Sequence, residues 1–515
     1  DTHSVTCFPK LPLLVIALVA VGLAKLAFIL HRQYSYWRTR HVPYIWAMPV
    51  FGSGWKIFLR RVSLPDHCNY IYTYHPEAKY VGAMDFATPT VIIRDPELIR
   101  DIAVKHFERF PDRQSFINEQ MDPIFGRNVF SLRGTRWREM RSTLSPSFTV
   151  SKMRFMFELV SRCAREFVDY LHDHTEFSSS TEAKDAFTRY TNDVIATVAF
   201  GISVNSLRDR ENEFYRKGAD VTNFGGVFRL IKFLLFRMNP RLTRMAGFTF
   251  LSRDTANFFQ KVVSETVRTR DEQNIVRPDM IHLLMQARDR EKPAAQQMTI
   301  DDIVAQAFIF FLAGFDTSST VMCYIVYELA INPDVQEKLR EEVDRWMASG
   351  NGEISYEDLS RMEYMEMVTS ETLRMYPPLV FIDRLCVEKF QLPPAEPGYS
   401  SVTVKPNDVV LFPVYALHHD PKYFPDPERF NPERFSDANK DNIVPYTYIP
   451  FGMGPRKCIG NRFALLETKI LIAYLLRKFV IKPTEKTRVP LEFSKKNFSM
   501  TPDDGVWVGL ERRNV

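Results

Sequence analysis

Along most of this chain of 515 residues, apolar positions recur at helical spacing between short polar breaks. From residue 96 onward, helices are expected to dominate. The longest helical pattern covers residues 299–330, and Thr299 with Asp302 resembles a capping box at its start. Short β-branched runs bounded by Pro and Gly predict strands at residues 80–82 and 90–94 and a strand-rich tail at residues 480–510.

The N-terminal part of the chain carries an apolar segment, residues 11–30, interrupted only by Pro12 and Lys25. About 20 apolar residues span a bilayer core as a helix, and Lys25 could snorkel to the interface. Aromatic and cationic residues at 32–40 are typical of the cytoplasmic side of a span. A cleaved signal peptide is the alternative, because the uninterrupted apolar run is short. No small-residue cleavage site is obvious, which favours a retained anchor.

These patterns divide the chain into three parts. We expect a membrane anchor with a basic flank over residues 1–40, a proline-containing hinge over 41–54 and a cytosolic globular domain over 55–515.

Composition narrows the class of partner. The chain is 45% hydrophobic and 25% charged, which is ordinary for a globular protein. Its net charge of +5 is too small to indicate nucleic acid. The six cysteines are scattered without a C-x-x-C pair, which favours reduced thiols over disulfides or a zinc site. Because no G-x-G-x-x-G follows a strand, we expect the chain itself to bind no flavin or nicotinamide.

One cysteine, Cys458, lies in a loop with Gly452, Gly454 and Gly460, directly before an apolar helical pattern. A thiolate is the metal-ligand form of cysteine. Glycines let backbone N–H groups approach the sulfur, and the positive end of the following helix points toward it. We therefore expect this loop to help keep the thiol ionised. A small buried thiol is the alternative.

Other patterns are weaker when each is taken alone. Trp137 and Arg141 share a helix face and could bind an anion, or could be a packed indole beside a solvated guanidinium. Gly314, inside the long helix, costs about 1 kcal/mol relative to Ala and could leave room for a ligand or allow close helix packing. Glu371 and Arg374 can form an ion pair, usually a weak surface bridge.

The stretch 224–237 mixes apolar side chains with Arg229, Lys232 and Arg237. Such a helix can lie on a membrane surface or be the edge of a buried helix. The sequence leaves these two alternatives open.

Taken together, the motifs resemble those of a microsomal cytochrome P450, most similar to the insect detoxifying branch related to vertebrate drug-metabolising enzymes. The F-x-x-G-x-R-x-C-x-G signature at residues 451–460 is highly specific. The resemblance implies a mainly α fold with small β-sheets (α+β) behind one N-terminal transmembrane helix. The supporting motifs stand in the family's order: Trp137-x-x-x-Arg141, Ala313-Gly314-x-Asp316-Thr317, Glu371-x-x-Arg374 and Pro432–Phe435.

The resemblance also implies a heme b in the domain at 55–515, with its iron held by Cys458. A thiolate ligand favours O–O cleavage. The residues implied to bind the cofactor besides Cys458 are Trp137, Arg141, Arg384 and Arg456 at the propionates, Phe451 on the proximal side, and Gly460.

Further roles follow from the same resemblance. Ala313 and Gly314 are expected to leave a groove for dioxygen, and Asp316 and Thr317 to relay protons. A buried ion network of Glu371, Arg374 and Arg434 is expected to fix the cysteine loop, with Arg434 chosen over Arg429 by its register to Cys458. The substrate pocket is expected to be lined by Phe308, Phe311, Leu312, Phe315, Val380, Phe381, Ile382, Phe498 and Met500.

The function implied is a monooxygenase that inserts one oxygen atom of O2 into lipophilic xenobiotics at the endoplasmic reticulum membrane. Electrons are expected from NADPH through cytochrome P450 reductase, with cytochrome b5 as a further partner. The alternatives are an endogenous hormone or lipid hydroxylase, a heme-thiolate isomerase, and a non-catalytic heme-binding sensor. The cations expected to face the reductase are Arg133, Arg136, Arg138, Lys440 and Lys457.

Overall fold

The computed structural model describes residues 10–115, 117, 119–222, 227–238, 243, 245, 247–277, 279–288, 298–350 and 352–513. Helices dominate this part of the chain, with small sheets beside them, as the sequence predicts. The helices are α1 Lys10–Ser35, α2 Trp55–Phe58, α3 Leu64–Thr73, α4 Pro96–Arg100, α5 Pro123–Gly126, α6 Gly134–Leu144, α7 Val150–Asp173, α8 Thr175–Ser178, α9 Ala183–Ile195, α10 Glu213–Thr222, α11 Val227–Met238, α12 Arg253–Gln273, α13 Met280–Arg288, α14 Ile300–Ile331, α15 Pro333–Ser349, α16 Tyr356–Arg361, α17 Glu363–Met375, α18 Val414–His418 and α19 Asn461–Lys478.

The strands form three small sheets. The largest has the order β1-β2-β7-β4, in which β2 and β7 run parallel and the other pairs antiparallel. The others have the orders β3-β9-β8 and β5-β6. The strands are β1 Tyr80–Asp85, β2 Thr88–Ile93, β3 Thr181–Glu182, β4 Ile382–Leu385, β5 Phe390–Leu392, β6 Val402–Val404, β7 Val409–Phe412, β8 Phe479–Lys482 and β9 Trp507–Arg512.

Two predictions about local structure have opposite outcomes. The capping box is confirmed: the Thr299 side chain accepts from the Asp302 amide, and the Asp302 carboxylate accepts from the Thr299 amide. The strand-rich tail is wrong in its extent, because strands occupy only its two ends, β8 and β9, with turns and irregular backbone between them. Polar and charged residues interrupt the alternation that a continuous strand needs.

Within the described residues, two helices are long and apolar enough to cross a membrane, and their burial differs. The segment Val15–Arg40, which contains most of α1, is not buried against the rest of the protein. The helix α14 is 72% buried in its most apolar window and packs against α9, α12, α17 and α19. The first is therefore a candidate anchor, and the second is the central helix of the core.

The chain that follows α1 lies against the first sheet. The Trp37 indole is 3% exposed and donates to the Ala83 carbonyl at 2.7 Å. A Cβ on Gly82 would come within 2.5 Å of the Trp37 ring, so this close approach requires glycine. Backbone bonds from Ile45 to Gly82 (2.9 Å) and from Ser53 to Met84 (2.7 Å) continue the contact through residues 41–54. The expected hinge is thus hydrogen-bonded along β1, although its boundaries stay a prediction.

Candidate active site

The loop at residues 451–460 is a tight turn closed by its own backbone. The Cys458 amide donates to the Phe451 carbonyl at 2.9 Å, and the Lys457 amide donates to the Gly454 carbonyl at 3.0 Å. Gly454 has φ +66°, and a Cβ there would lie 2.1 Å from the Ala103 carbonyl oxygen. A side chain at this position is therefore excluded both by conformation and by contact. Helix α19 begins directly after the loop.

The Cys458 thiol is accessible to solvent, yet burial is the main influence on its ionisation. Burial raises the pKa of the thiol, against the Gly460 amide and the cations of Arg141 and Arg113, which lower it. The sulfur is accessible and yet strongly desolvated, which indicates that it faces a space inside the protein. The loop supplies the expected N–H donor and cations, and both act in the expected direction, although burial outweighs them in the free thiol. A coordinating metal ion would deprotonate the sulfur outright.

Two buried arginines beside this space have unused hydrogen-bond donors. The Arg456 guanidinium donates to the Pro111 and Leu132 carbonyls at 2.7 and 2.9 Å, but its Nη1 has no partner among the described residues. The fully buried Arg384 donates to the Asp383 and Met453 carbonyls, but within the same part of the chain its Nε has no partner. Burial lowers the pKa of each to about 9, and the charge of Arg113 adds to this effect.

Arg113 is a member of this cluster that sequence reasoning missed. It contributes to the electrostatics of Cys458, Arg141, Arg384 and Arg456. Its own acid partner is Asp383, at 4.0 Å. The only sequence signal was its place in the long aromatic stretch at residues 106–136, since no motif marks it.

Two residues of α6 complete the cationic wall. The Arg456 guanidinium lies over the Trp137 ring, 3.9 Å from its centroid, a cation–π contact. Arg141 Nη2 donates to the Lys457 carbonyl at 2.8 Å, which ties α6 to the cysteine loop. The predicted pair Trp137 and Arg141 thus lies with Cys458 and the two buried arginines.

This arrangement fits a heme. Four guanidinium groups meet near Cys458, while the carboxylates paired with them are Asp112 and Asp383. The two unpartnered buried N–H atoms require acceptors, and propionate carboxylates are acceptors of the right charge. An accessible thiol beside surplus buried cations therefore matches an anionic, iron-bearing group.

Helix α14 exposes one short face in the middle of its otherwise buried length. Ala313 is exposed, and Leu312, Asp316 and Thr317 are half-buried. Thr317 Oγ1 donates to the Ala313 carbonyl at 2.7 Å. This face is tied to the cysteine loop through Phe148, whose ring packs edge-on against Phe310 and lies 3.8 Å from the Cβ position of Gly460.

Asp316 is held by a lysine that the sequence did not identify. Lys184 Nζ, on α9, donates to Asp316 Oδ1 at 2.8 Å and to the Asp316 carbonyl at 2.9 Å. The same ammonium donates to the hydroxyls of Ser319 and Thr320. No sequence signal could have found this contact, because 132 residues separate the two partners.

Gly314 meets another side of α14. A Cβ on Gly314 would lie 3.1 Å from Ile195 Cδ1 on α9. The small residue therefore allows α9 to approach closely, which is the helix-packing alternative that the sequence left open. Its expected part in a dioxygen groove stays a prediction.

The ion network around Glu371 has a fully buried centre, Glu371 and Arg374, whereas Arg434 is half-buried. Glu371 accepts two bonds from Arg374, at 2.8 and 2.9 Å, and one from Arg434 at 3.3 Å. Arg374 also donates to the carbonyls of His418 and Pro427. The network thus joins α17 to the irregular segment that leads to the cysteine loop.

Three aromatic residues expected to line the pocket pack in the core. Phe308, Phe311 and Phe315 are at most 1% exposed. Phe311 lies 4.9 Å from the Phe214 ring and 5.0 Å from the Phe259 ring. Phe311 thus faces α10 and α12, and the pocket role of the three residues stays a prediction.

The remaining pocket candidates lie on two segments. Ile382 Cδ1 is 3.4 Å from the Cβ position of Gly452, so β4 borders the cysteine loop. Phe381 is half-buried beside Val380 and Ile382, both 3% exposed. On the C-terminal loop, Met500 is buried, whereas Phe498 packs with Phe58 of α2 and Phe233 of α11.

Comparison with known proteins agrees with this geometry. The family model described as Cytochrome P450 matches residues 58–508. Cytochrome P450 9e2 of Blattella germanica is 46% identical over 508 residues, covering 93% of this chain and 94% of its own length. Probable cytochrome P450 9f2 of Drosophila melanogaster is 40% identical over 496 residues, covering 93% and 95%. Cytochrome P450 6k1 of Blattella germanica is 34% identical over 492 residues, covering 92% of each. The chain therefore belongs to the cytochrome P450 family of monooxygenases.

Proposed function

We propose that this protein is a microsomal heme-thiolate monooxygenase that inserts one oxygen atom of O2 into lipophilic small molecules, with xenobiotics as the substrate class. NADPH supplies the electrons through cytochrome P450 reductase, and cytochrome b5 is a further partner. The observation that carries the proposal is the accessible Cys458 thiol beside buried arginines with unpartnered N–H atoms. The match to insect members of the family supports the detoxifying role that the sequence resemblance implied.

The residues that would hold the heme have separate tasks. Cys458 would ligate the iron, and Arg113, Arg141, Arg384, Arg456 and the Trp137 indole would bind the two propionates. When bound, a thiolate-ligated heme supplies electron density that favours O–O cleavage. The Gly460 amide beside the sulfur would moderate that donation.

The exposed face of α14 would deliver protons to the reaction. Thr317 holds its hydroxyl proton toward the Ala313 carbonyl and can accept a proton as it gives one. Asp316 is ion-paired with Lys184 through Oδ1, which holds its carboxylate on this face of α14. This acid–hydroxyl pair favours oxygen activation over an isomerase or a heme-binding sensor, neither of which needs delivered protons.

Membrane contact would involve two elements. The side chains of α1 that the structure describes are largely exposed and apolar. On α11, Ile231 and Leu235 are 47% and 40% exposed. Arg237, near the end of α11, pairs with Asp85, and Gln33 on α1 donates to the Phe86 carbonyl, so both helices reach the β1–β2 turn. This supports attachment of both to the endoplasmic reticulum membrane.

Reductase would dock beside the cysteine loop. Several cations expected there are paired with acids: Arg136 with Glu119, Arg138 with Glu108, and Lys440 with Asp437. Lys457 in the cysteine loop is exposed. Exposed cations at this surface mainly raise the association rate.

Reconstitution in phospholipid vesicles tests the proposed function. Wild-type protein with an NADPH-dependent reductase and a panel of lipophilic probes should yield oxygenated product and the thiolate-type carbon monoxide spectrum. Cys458→Ser should lose both, and Cys163→Ser, a half-buried cysteine on α7, should keep both. Product formation by Cys458→Ser would contradict the ligand assignment, and oxygen-independent rearrangement of a peroxide would favour the isomerase.

A further inference from the structure

Two buried tyrosines on different helices stack face to face beside the C-terminal loop. Tyr324 of α14 and Tyr376, directly after α17, have ring centroids 4.1 Å apart and an interplanar angle of 10°. Phe493 meets both rings edge-on, with centroids 6.4 Å away. The stack therefore joins the central helix to the start of the loop at residues 493–502.

Each tyrosine hydroxyl has a defined partner. Tyr324 Oη donates to the Met500 carbonyl. Tyr376 Oη donates to Glu328 Oε1 at 2.5 Å, and Asn332 Nδ2 donates to Glu328 Oε2 at 2.9 Å. Phenylalanine would fill the same space, so packing alone does not call for these hydroxyls. A buried hydroxyl is costly unless it is hydrogen-bonded, so each hydroxyl specifies where its partner must lie.

The loop at residues 493–502 folds back on itself. Phe493 and Pro502 form a β-bridge, and the Ser494 amide donates to the Thr501 carbonyl at 3.0 Å. These bonds close the base of the loop. In the chain, Met500 stands between Phe498 and the base of the loop. The hydrogen bond from Tyr324 to the Met500 carbonyl therefore fixes the segment that carries Phe498 and Met500.

Phe498 reaches the opposite wall. Its ring is 6.2 Å from the Phe58 ring and 5.7 Å from the Phe233 ring of α11. A shift of the Met500 carbonyl would therefore move a side chain that contacts α2 and α11. The displacement would change the space between the loop and these helices.

We propose that Tyr324 is a specificity-positioning residue: its hydroxyl sets the position of the loop at 493–502 and thereby where Phe498 and Met500 meet a lipophilic substrate. The substrate part rests on the proposed function, because it requires this loop to face the substrate. Tyr324 itself acts through the loop and does not touch the reacting atoms. The Tyr376–Glu328 bond holds the second ring, so the stack cannot slide along α14.

Tyr324→Phe tests this with the full-length protein, because it removes one hydroxyl and keeps the ring stack. Amide hydrogen exchange over residues 494–501 should quicken by about three- to tenfold, since tenfold corresponds to 1.4 kcal/mol, about the size of one hydrogen bond. Exchange in α14 should be unchanged. The carbon monoxide spectrum should also keep its wild-type form.

A second experiment tests specificity with two probes, testosterone and lauric acid, each of which has several oxidisable carbons. Tyr324→Phe should change the ratio of their hydroxylated products by about threefold or more, with heme content unchanged. The matched control is Tyr80→Phe, which removes the hydroxyl of another buried tyrosine, one that donates to the Pro393 carbonyl at 2.8 Å, away from the loop. It should leave both readouts at wild-type values.

The outcomes separate the two proposals. If loop exchange in Tyr324→Phe equals that in wild type, Tyr324 does not position the loop and the inference is overturned. Faster exchange with an unaltered product ratio overturns the specificity role. If wild type oxidises neither these probes nor any other lipophilic probe, the proposed function and the specificity role fail together, while the exchange result still decides the positioning role.

Discussion

At the scale of single residues, buried charge explains most of the site. Arg384 and Arg456 each keep one buried N–H without a partner, and burial lowers the pKa of both guanidinium groups to about 9. Such groups are costly in the core unless an acceptor joins them. Cys458 lies beside them with a raised thiol pKa. These residues are consistent with a shared requirement for an anionic, metal-bearing group.

Removal of the Thr317 hydroxyl should uncouple the reaction. In Thr317→Ala, the hydroxyl beside Ala313 is lost as a proton donor, so peroxide released per NADPH consumed should rise by roughly tenfold, below the 10²–10⁴-fold typical of general acid–base groups. Peroxide and product are measured together in the reconstituted system. Thr317→Ser keeps the hydroxyl and should stay near wild type. Equal peroxide release in Thr317→Ala and wild type would remove Thr317 from proton delivery.

At the scale of elements, two contacts couple the helices to the cysteine loop. The Glu371 network joins α17 to the segment containing Arg434. Helix α19, which begins after Cys458, packs on α14. The cysteine loop is therefore preceded by a segment held by the ion network and followed by a helix packed on α14.

The sequence Pro-Glu-Arg-Phe occurs twice, at residues 427–430 and 432–435, and its two arginines offer a matched pair of substitutions. Arg434→Ala removes one partner of the buried Glu371 carboxylate and should lower the free energy of unfolding by about 1–3 kcal/mol. Arg429 is exposed, so Arg429→Ala should change it by no more than about 0.5 kcal/mol. Denaturant unfolding and heme content measure both variants. A larger loss in Arg429→Ala would assign the network to the other repeat.

Stability should depend on pH through Glu467, on α19. Burial raises the pKa of this carboxyl from 4.5 to about 8, although Ser318 on α14 hydrogen-bonds to it. Between these values the folded protein holds a proton that the unfolded chain has released, so the free energy of unfolding falls as pH rises. Glu467→Gln cannot titrate.

In Glu467→Gln, the slope of unfolding free energy against pH should therefore be less negative, by up to about 1.4 kcal/mol per pH unit. Denaturant unfolding at several pH values from about 6 to 8 measures this slope. Parallel slopes for wild type and variant would show that Glu467 is not the group that titrates.

At the scale of the whole molecule, the N-terminal helix is oriented by the fold. Trp37 is inserted beside Gly82 and hydrogen-bonded to Ala83, while Gln33 donates to the Phe86 carbonyl. The β1–β2 turn thereby connects the base of α1 with α11. This arrangement favours one orientation of the catalytic domain on a membrane.

In a protein that lacks residues 1–30, loss of the α11 apolar face should weaken membrane binding. Ile231→Ser with Leu235→Ser should reduce partitioning onto phospholipid vesicles by about tenfold or more, because each side chain loses on the order of 1 kcal/mol of apolar transfer. Co-sedimentation measures the partitioning. The control is Ile275→Ser with Val276→Ser, which changes exposed apolar side chains between α12 and α13. Equal loss in both pairs would argue against a specific membrane contact by α11.

Sequence reasoning predicted several contacts within single elements and fewer contacts between elements. It predicted the capped helix α14, the cysteine loop, the Glu371–Arg374 pair and the Trp137–Arg141 pair, because each depends on spacing within one element. It missed Arg113 and Lys184, which reach the site from distant segments. It assigned Phe308, Phe311 and Phe315 to a pocket, although a helical pattern alone does not say which neighbour a face meets.

The family, the order of the motifs and the helical character of the chain can be read from the residues alone, because local spacing and residue chemistry encode these features. The contacts of Lys184 with Asp316, of Gly314 with α9 and of Tyr324 with the Met500 carbonyl become visible only in the folded chain. The last pair is 176 positions apart in the chain. Contacts at such separation depend on how helices pack against one another, and packing depends on all the side chains of a core at once.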